Sequence, residues 1–148
     1  NFFGKNFLGD GAVYGVSFLI GILSINLSSI SFKISPYFIA NLLWFPAFEN
    51  LFSIIRRLVN KKKNYLADNL HFHQLLFKYF SRNKFTKKKF LISSFTGLSI
   101  NTYLLSTYTI GYLFYSKTNI QIFLISLSIL TYITLYILLL KKTRLVYK

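Results

Sequence analysis

The chain has 148 residues, of which 53% are hydrophobic and 20% aromatic, and it carries a formal net charge of +15 at pH 7. Its apolar and basic residues lie in separate blocks, whereas soluble domains intersperse charges of both signs, so the composition argues against an ordinary soluble domain. Cysteine is absent, which excludes disulfide bonds and thiolate chemistry. Methionine is absent too, even at position 1, and we therefore expect a fragment of a longer protein.

Four apolar stretches are each long enough to cross a bilayer, which takes about 20 helical residues. They cover residues 11–30, about 36–55, about 90–115 and 119–140. Because lipid cannot satisfy backbone hydrogen-bonding groups, we predict that these stretches are helices despite their many β-branched residues. The predicted fold class is an all-α membrane protein with four transmembrane helices.

Acidic residues are rare in this chain: there are three, Asp10, Glu49 and Asp68. Asp10 lies where the first apolar stretch begins, and drawing a carboxylate into hydrocarbon costs roughly a few kcal/mol. We therefore interpret Asp10 as a functional residue, the ligand of a metal ion or part of a proton site at a membrane face. Glu49 lies inside the second stretch, one turn after Pro46, and the sequence leaves its role open.

The distribution of basic residues predicts the orientation of the chain. Residues 56–89 hold 11 Lys or Arg against one acid, and residues 141–148 hold four more. The connections on the other side hold only Lys33 and Lys117. Since cytosolic loops collect basic residues, we predict that residues 56–89 form a basic cytosolic loop and that Asp10 and the C-terminus share its side. We interpret these cations as topology signals that meet anionic headgroups, and we expect no nucleic acid as partner.

Within the basic loop, apolar residues recur with helical periodicity and predict an amphipathic helix that lies on the lipid headgroups; its apolar face is formed by Phe72, Leu75, Leu76, Tyr79 and Phe80. On a regular helix His71 and His73 would point about 200° apart, because each residue advances by about 100°. A zinc site on Asp68 and the two histidines would need an extended backbone. We favour a different hypothesis, in which the two imidazoles contact different parts of one anionic substrate.

Three segments resemble motifs of a known family. Residues 1–11, NFFGKNFLGDG, resemble the "GKxFLGDGG" segment of the polyprenyl-phosphate N-acetylhexosamine-1-phosphate transferases, a bacterial glycosyltransferase family of the membrane phosphosugar transferase superfamily. Residues 46–57, PAFENLFSIIRR, resemble that family's helix end with a proline, an acid and an arginine pair. Residues 68–74, DNLHFHQ, resemble its histidine-containing loop. The three segments stand in the family's order and near its spacing.

The resemblance implies that the four helices are the C-terminal part of a larger multi-pass bundle in a bacterial inner membrane. The implied enzyme needs Mg²⁺ and transfers a sugar 1-phosphate from a UDP-sugar to polyprenyl phosphate, releasing UMP, on the cytosolic face, for cell-envelope polysaccharide synthesis. By this resemblance Asp10 is the Mg²⁺ ligand, Phe7 stacks on uracil and Lys5 lies near the nucleotide. His71 and His73 contact the diphosphate or the sugar.

The family also has acidic residues that this chain lacks: an upstream Asp-Asp pair and an Asn- and Asp-rich loop. We therefore predict that the 148-residue chain by itself is catalytically inactive. The main alternative is a non-enzymatic four-helix membrane protein, such as an accessory of a lipid-linked-sugar flippase. That alternative explains the spans and the basic loop but gives no reason for Asp10, His71 and His73. A third hypothesis is a fragment of a transporter, which would have polar groups in the middle of its spans and not at their cytosolic ends. Glu49 is the only residue that favours it. The sequence leaves open which sugar is transferred and whether the enzyme forms a homodimer.

Overall fold

The structure is a computed structural model that describes residues 10–30, 33–59, 70–82 and 88–144. Within these ranges the chain forms five α-helices: α1 (Asp10–Ile30), α2 (Pro36–Val59), α3 (Phe72–Arg82), α4 (Lys89–Leu113) and α5 (Thr118–Arg144). The predicted all-α fold class is confirmed for the described part of the chain.

Three of the described helices are long and apolar enough to cross a membrane, over Gly11–Ile30, Pro36–Val59 and Thr118–Thr143. They correspond to the first, second and fourth predicted stretches. The third stretch forms α4, which is long enough at 25 residues but carries many Ser and Thr side chains and is therefore less apolar. The structure supports a helical membrane protein with three candidate spans given by length and composition.

The core of the bundle lies where α3 packs across α4 and α5, beside the contact between α2 and α5. It is largely aromatic and contains Trp44, Phe72, Leu75, Tyr132, Tyr136 and Leu139. The Phe72 and Tyr132 rings are 4.9 Å apart at their centroids, and such pairs contribute about 0.5–1.5 kcal/mol beyond their buried area. The amphipathic helix predicted in the loop is therefore present, but its expected place on the lipid headgroups is wrong for the apolar face, because Phe72 and Leu75 are buried in the protein core against α4 and α5.

Polar contacts place the connections between helices at two opposite ends of the bundle. At one end, the Ser35 N–H donates to the Tyr115 carbonyl oxygen at 3.0 Å, which joins the start of α2 to the connection between α4 and α5. At the other end, Arg82 Nη1 donates to the Lys142 carbonyl oxygen at 2.7 Å and joins the last turns of α3 and α5. The ends of α2 and α5 and the start of α4, which carry most of the described cations, thus lie around α3.

Helix α1 lies at the edge of the bundle and contacts α2. None of the residues in its span, Gly11–Ile30, is buried by the rest of the described structure. Large apolar side chains such as Phe18, Leu19 and Leu23 are all more than half exposed. A helix that is apolar all round and unburied by its own chain is suited to lipid or to further protein, because water would solvate it poorly.

Two buried amides join α2, α4 and α5 away from the basic end. Gln121 Nε2 donates to the carbonyl oxygens of Gly111 at 2.7 Å and Phe114 at 2.9 Å, at the end of α4. Asn41 Nδ2 donates to Gln121 Oε1 at 3.1 Å. Both amide side chains are fully buried, so the three helices are joined by a polar contact that excludes solvent.

Gly111→Ala should destabilise the bundle, because the added Cβ would lie 2.5 Å from Asn41 Nδ2. We expect the free energy of unfolding to fall by about 1–3 kcal/mol, as in other overpacked cores. The fluorescence of Trp44, the single tryptophan, reports unfolding during a titration with a denaturing detergent. Gly97→Ala is the matched control on the same helix, since nothing lies within 4 Å of its Cβ position. Equal stability of the two variants would contradict the assigned contact.

Candidate functional site

Glu49 is a buried acid in the second half of α2, and its side chain faces the start of α3. The residue is 9% exposed. Its Oε1 atom accepts a hydrogen bond at 2.9 Å from the backbone N–H of Phe72, the first residue of α3. The first N–H groups of a helix lack intrahelical partners and carry a partial positive charge, so a carboxylate is stabilised there. Glu49 therefore ties the amino end of α3 to α2.

The start of α3 is also fixed by a reciprocal hydrogen bond between His71 and Gln74. The His71 carbonyl oxygen accepts from the N–H groups of Gln74 and Leu75, both at 3.0 Å. In return, the Gln74 side-chain oxygen accepts from the His71 N–H at 3.2 Å. The bond from the His71 N–H to the Gln74 side chain is one half of a capping box, in which the side chain of the third helical residue caps the N–H of the residue before the helix. Helix α3 consequently begins at Phe72, and His71 lies just outside it.

Because His71 precedes the helix, the two imidazoles converge instead of pointing apart. His71 Nδ1 lies 3.4 Å from Glu49 Oε1, and His73 Nδ1 lies 3.7 Å from the same oxygen. The two rings are nearly parallel, with an angle of 17° between their planes and 5.7 Å between their centroids. The separation of about 200° expected on a regular helix does not apply here. The structure thus brings together two predicted site residues and Glu49.

The arrangement buries the carboxylate and leaves part of each imidazole accessible. A carboxylate beside Nδ1 favours a proton on that nitrogen. The Nε2 atom, on the far edge of each ring, can donate to an anion only when both ring nitrogens carry protons. The His73 side chain is 57% exposed and that of His71 26%, against 11% for Glu49. The carboxylate is therefore the buried partner and the imidazoles are the accessible groups.

Arg56, at the end of α2, bonds to the backbone of Leu70, the residue before His71. Its Nη1 atom donates to the Leu70 carbonyl oxygen and to the Tyr136 hydroxyl. The Tyr136 hydroxyl in turn donates to the Leu70 carbonyl at 3.1 Å. The backbone just before His71 is thereby fixed to both α2 and α5. Of the arginine pair at the end of α2, Arg56 is accordingly a positioning residue.

A cavity of about 490 Å³ lies beside His73, between α3 and α4. It is lined by polar and apolar side chains: His73, Gln74, Phe77, Lys78, Ser93, Thr96, Gly97 and Ile100. Its volume lies within the roughly 300–1,000 Å³ typical of small-molecule sites. An imidazole, an ammonium group, an amide and two hydroxyl-bearing residues suit it to a polar ligand, and the ammonium group of Lys78 favours a ligand with negative charge.

Asp10 is the first residue of α1, and the position of its side chain lies outside the described structure. The other predicted binding residues, Phe7 and Lys5, also lie outside the described residues, as does Asp68. Among the residues that are described, no group of three His, Asp or Glu side chains is arranged to hold a metal ion. The assignment of Asp10 as the Mg²⁺ ligand therefore remains a prediction.

Glu49 is the site residue whose role sequence reasoning did not find. A signal for it existed, because Glu49 is the only Asp, Glu, Lys or Arg within the four predicted apolar stretches. An ionisable residue at such a position indicates function by default, and its partner has to be sought among distant residues. Here the partners lie 22 to 24 positions further along the chain.

Comparisons of the chain with protein families, with curated proteins and with solved structures found no match. Function is therefore proposed from the residues, contacts and charges described above.

Proposed function

We propose that this chain is part of a membrane phosphosugar transferase, which moves a sugar 1-phosphate from a UDP-sugar to polyprenyl phosphate and releases UMP. The observation that carries this proposal is the convergence of His71 and His73 on the buried Glu49 carboxylate. The convergence occurs at the end of the bundle that holds most of the described cations. The resemblance of residues 1–11, 46–57 and 68–74 to motifs of that enzyme family supports the same proposal.

The reaction explains why such groups would be assembled. Donor and acceptor are both anions, so their approach requires neutralisation of charge. In-line displacement at phosphorus otherwise depends on positioning and on electrostatic stabilisation. With protons on both ring nitrogens, the two imidazoles would supply hydrogen-bond donors and positive charge to the diphosphate of the donor substrate. Asp10 would hold Mg²⁺, a hard cation that binds carboxylate oxygen and retains several waters.

The proposal includes α4 as a fourth span, within a bundle larger than these five helices. At about 1.5 Å per residue, its 25 residues are long enough to cross the hydrocarbon core. Several of its hydroxyl groups bond within the helix, as Thr96 Oγ1 does to the Ile92 carbonyl and Ser99 Oγ to the Phe95 carbonyl, both at 2.8 Å. The exposed apolar surface of α1 supports further helices around it.

A direct assay tests the function. Membranes that contain the full gene product carrying this sequence should release UMP from a UDP-N-acetylhexosamine when polyprenyl phosphate and Mg²⁺ are both present. Omission of either should abolish the release, because the phosphate acceptor and the cation both take part in the displacement. Absence of UMP release from every UDP-sugar tried, with the protein correctly inserted, would favour the alternative of a non-enzymatic accessory protein. Transfer by the purified 148-residue chain alone would refute the prediction that it is inactive.

His71→Ala and His73→Ala should each reduce kcat/KM for the UDP-sugar by about 10–100-fold, the usual effect of losing an oriented polar contact of this kind. The measurement is steady-state UMP release at saturating polyprenyl phosphate. Ser81→Ala is the control, because Ser81 is an exposed residue of the same helix and lies away from Glu49. If both histidine variants kept the kinetics of the control, the two imidazoles would not be part of the site.

A further inference from the structure

A second cavity lies on the other side of α3 and differs from the first in its chemistry. Its volume is about 400 Å³, it is partly enclosed, and side chains of α2, α3, α4 and α5 form its wall. The lining is almost wholly apolar and aromatic, with Leu76, Tyr103, Leu135 and Leu138 among its residues. A cavity of this size and lining fits an apolar chain, because pockets of about 300–1,000 Å³ with mostly apolar walls bind small ligands by burying their surface.

A single cationic residue, Lys142, also lines this cavity. It lies near the end of α5, and its Nζ atom is 5.1 Å from the centroid of the Tyr79 ring, which lines the cavity as well. Among the side chains that the structure describes, only Glu49 is acidic, and it faces the two histidines. A counter-charge for Lys142 from the described side chains is therefore lacking, and a ligand can supply it.

The position of the cavity relates it to the bilayer. Lys142 lies at the basic end of the bundle, where its backbone carbonyl binds Arg82. The apolar wall extends from there along α5 to Tyr132, ten residues back, which corresponds to about 15 Å of helix. A cation at the membrane surface next to an apolar slot directed into the hydrocarbon matches a lipid with a negative headgroup and an extended chain.

We infer that this cavity binds an anionic phospholipid of the surrounding leaflet, with one acyl chain in the apolar slot and the headgroup phosphate at Lys142. Bilayer phospholipid is the occupant favoured by mass action, because it surrounds the protein at far higher concentration than any minor lipid. The site is distinct from the cavity beside His73, because the two are lined by different residues of α3 and share only Ile100. The inference rests on the membrane location of the bundle and not on the proposed transfer reaction.

Photolabelling in lipid nanodiscs tests this site. The full gene product is placed in phosphatidylcholine nanodiscs with a small fraction of phosphatidylglycerol that carries a photoreactive diazirine in one acyl chain. After irradiation, mass spectrometry of peptides locates the labelled residues. We expect label on cavity residues such as Tyr103 and Leu135, and about fivefold less label with a phosphatidylcholine probe, because one lysine near the surface contributes roughly that much to binding of an anionic lipid.

Two pairs of matched variants make the result specific. Lys142→Gln should lower cavity labelling about fivefold, whereas Lys141→Gln, which removes the same charge from the neighbouring exposed residue, should leave it unchanged. Leu135→Trp should fill the slot and block labelling. Leu130→Trp should leave labelling unchanged, because Leu130 lies on an exposed part of α5 that does not line the cavity. Equal labelling of Lys142→Gln and the unmodified protein would overturn the inference. So would displacement of the probe by polyprenyl phosphate at a lower concentration than phosphatidylglycerol, which would assign the cavity to a different lipid.

Discussion

Asp10→Asn is expected to reduce Mg²⁺-dependent release of UMP by at least about 10²–10³-fold, the usual cost of removing a group that stabilises developing charge in an active site. Asparagine has nearly the same size as aspartate but lacks its negative charge, so it would hold Mg²⁺ weakly. Asp10 is the first residue of α1, and only a short connection joins α1 to α2. Two such helices run in opposite directions, and this would bring Asp10 to the end of the bundle where α2 reaches Arg56.

The measurement for Asp10→Asn is UMP release as a function of Mg²⁺ concentration. A lost metal ligand predicts both a lower maximal rate and a higher Mg²⁺ concentration for half-maximal rate. Ser24→Ala on the same helix is the control for expression and insertion, because its hydroxyl bonds within α1, to the Ile20 carbonyl at 2.7 Å. An Asp10→Asn enzyme with unaltered rate and unaltered Mg²⁺ dependence would defeat the assignment of Asp10 as the metal ligand.

The long helices could be predicted from the sequence because a single physical requirement fixes them. A chain that crosses lipid has to satisfy its backbone internally over about 20 residues, so apolar stretches of that length predict helices with few competing solutions. The four predicted stretches accordingly match α1, α2, α4 and α5 within a few residues at each end. The apolar periodicity of the basic loop predicted α3 for a similar reason, since five of its residues form one face.

The contacts of the candidate site could not be predicted in the same way. The convergence of His71 and His73 depends on the residue at which α3 begins, and the capping by Gln74 sets that residue. The periodicity of apolar residues does not determine the start of a helix to within one or two residues. The approach of Glu49 depends on how α2 packs against α3, and the hydropathy of either segment carries no information about that packing. Asn41 and Gln121, 80 positions apart in the chain, meet for the same kind of reason.

Glu49→Gln is the second substitution with a large expected effect, and it separates positioning from folding. Glutamine keeps an oxygen that can accept the hydrogen bond from the Phe72 N–H, so the start of α3 should remain tied to α2. It removes the negative charge beside the two imidazoles. We expect kcat/KM for the UDP-sugar to fall by about 10–100-fold, as for other carboxylates that orient a functional histidine, while the fold persists.

Glu49→Ala provides the comparison, because it removes the acceptor as well as the charge. A buried N–H left without a partner costs about 1–3 kcal/mol, so this variant should lose stability in addition to activity. Trp44 fluorescence during unfolding measures the first effect. If Glu49→Gln and Glu49→Ala lost activity only in proportion to their loss of stability, Glu49 would be a structural residue alone.

Two further readouts distinguish Glu49 from Asp10. Glu49 contacts the histidines and would not touch the metal ion, so Glu49→Gln should leave the Mg²⁺ concentration for half-maximal rate unchanged. Nitrogen NMR of the imidazoles should show both rings with a proton on Nδ1 in the unmodified protein, and a mixture of tautomers in Glu49→Gln, because the carboxylate that selects the tautomer is gone. The same tautomer in both proteins would mean that Glu49 ties α3 to α2 without orienting the histidines. A changed tautomer with unchanged Mg²⁺ dependence would mean that Glu49 orients the substrate-binding imidazoles and does not bind the metal ion. Asp10 would then remain the candidate metal ligand.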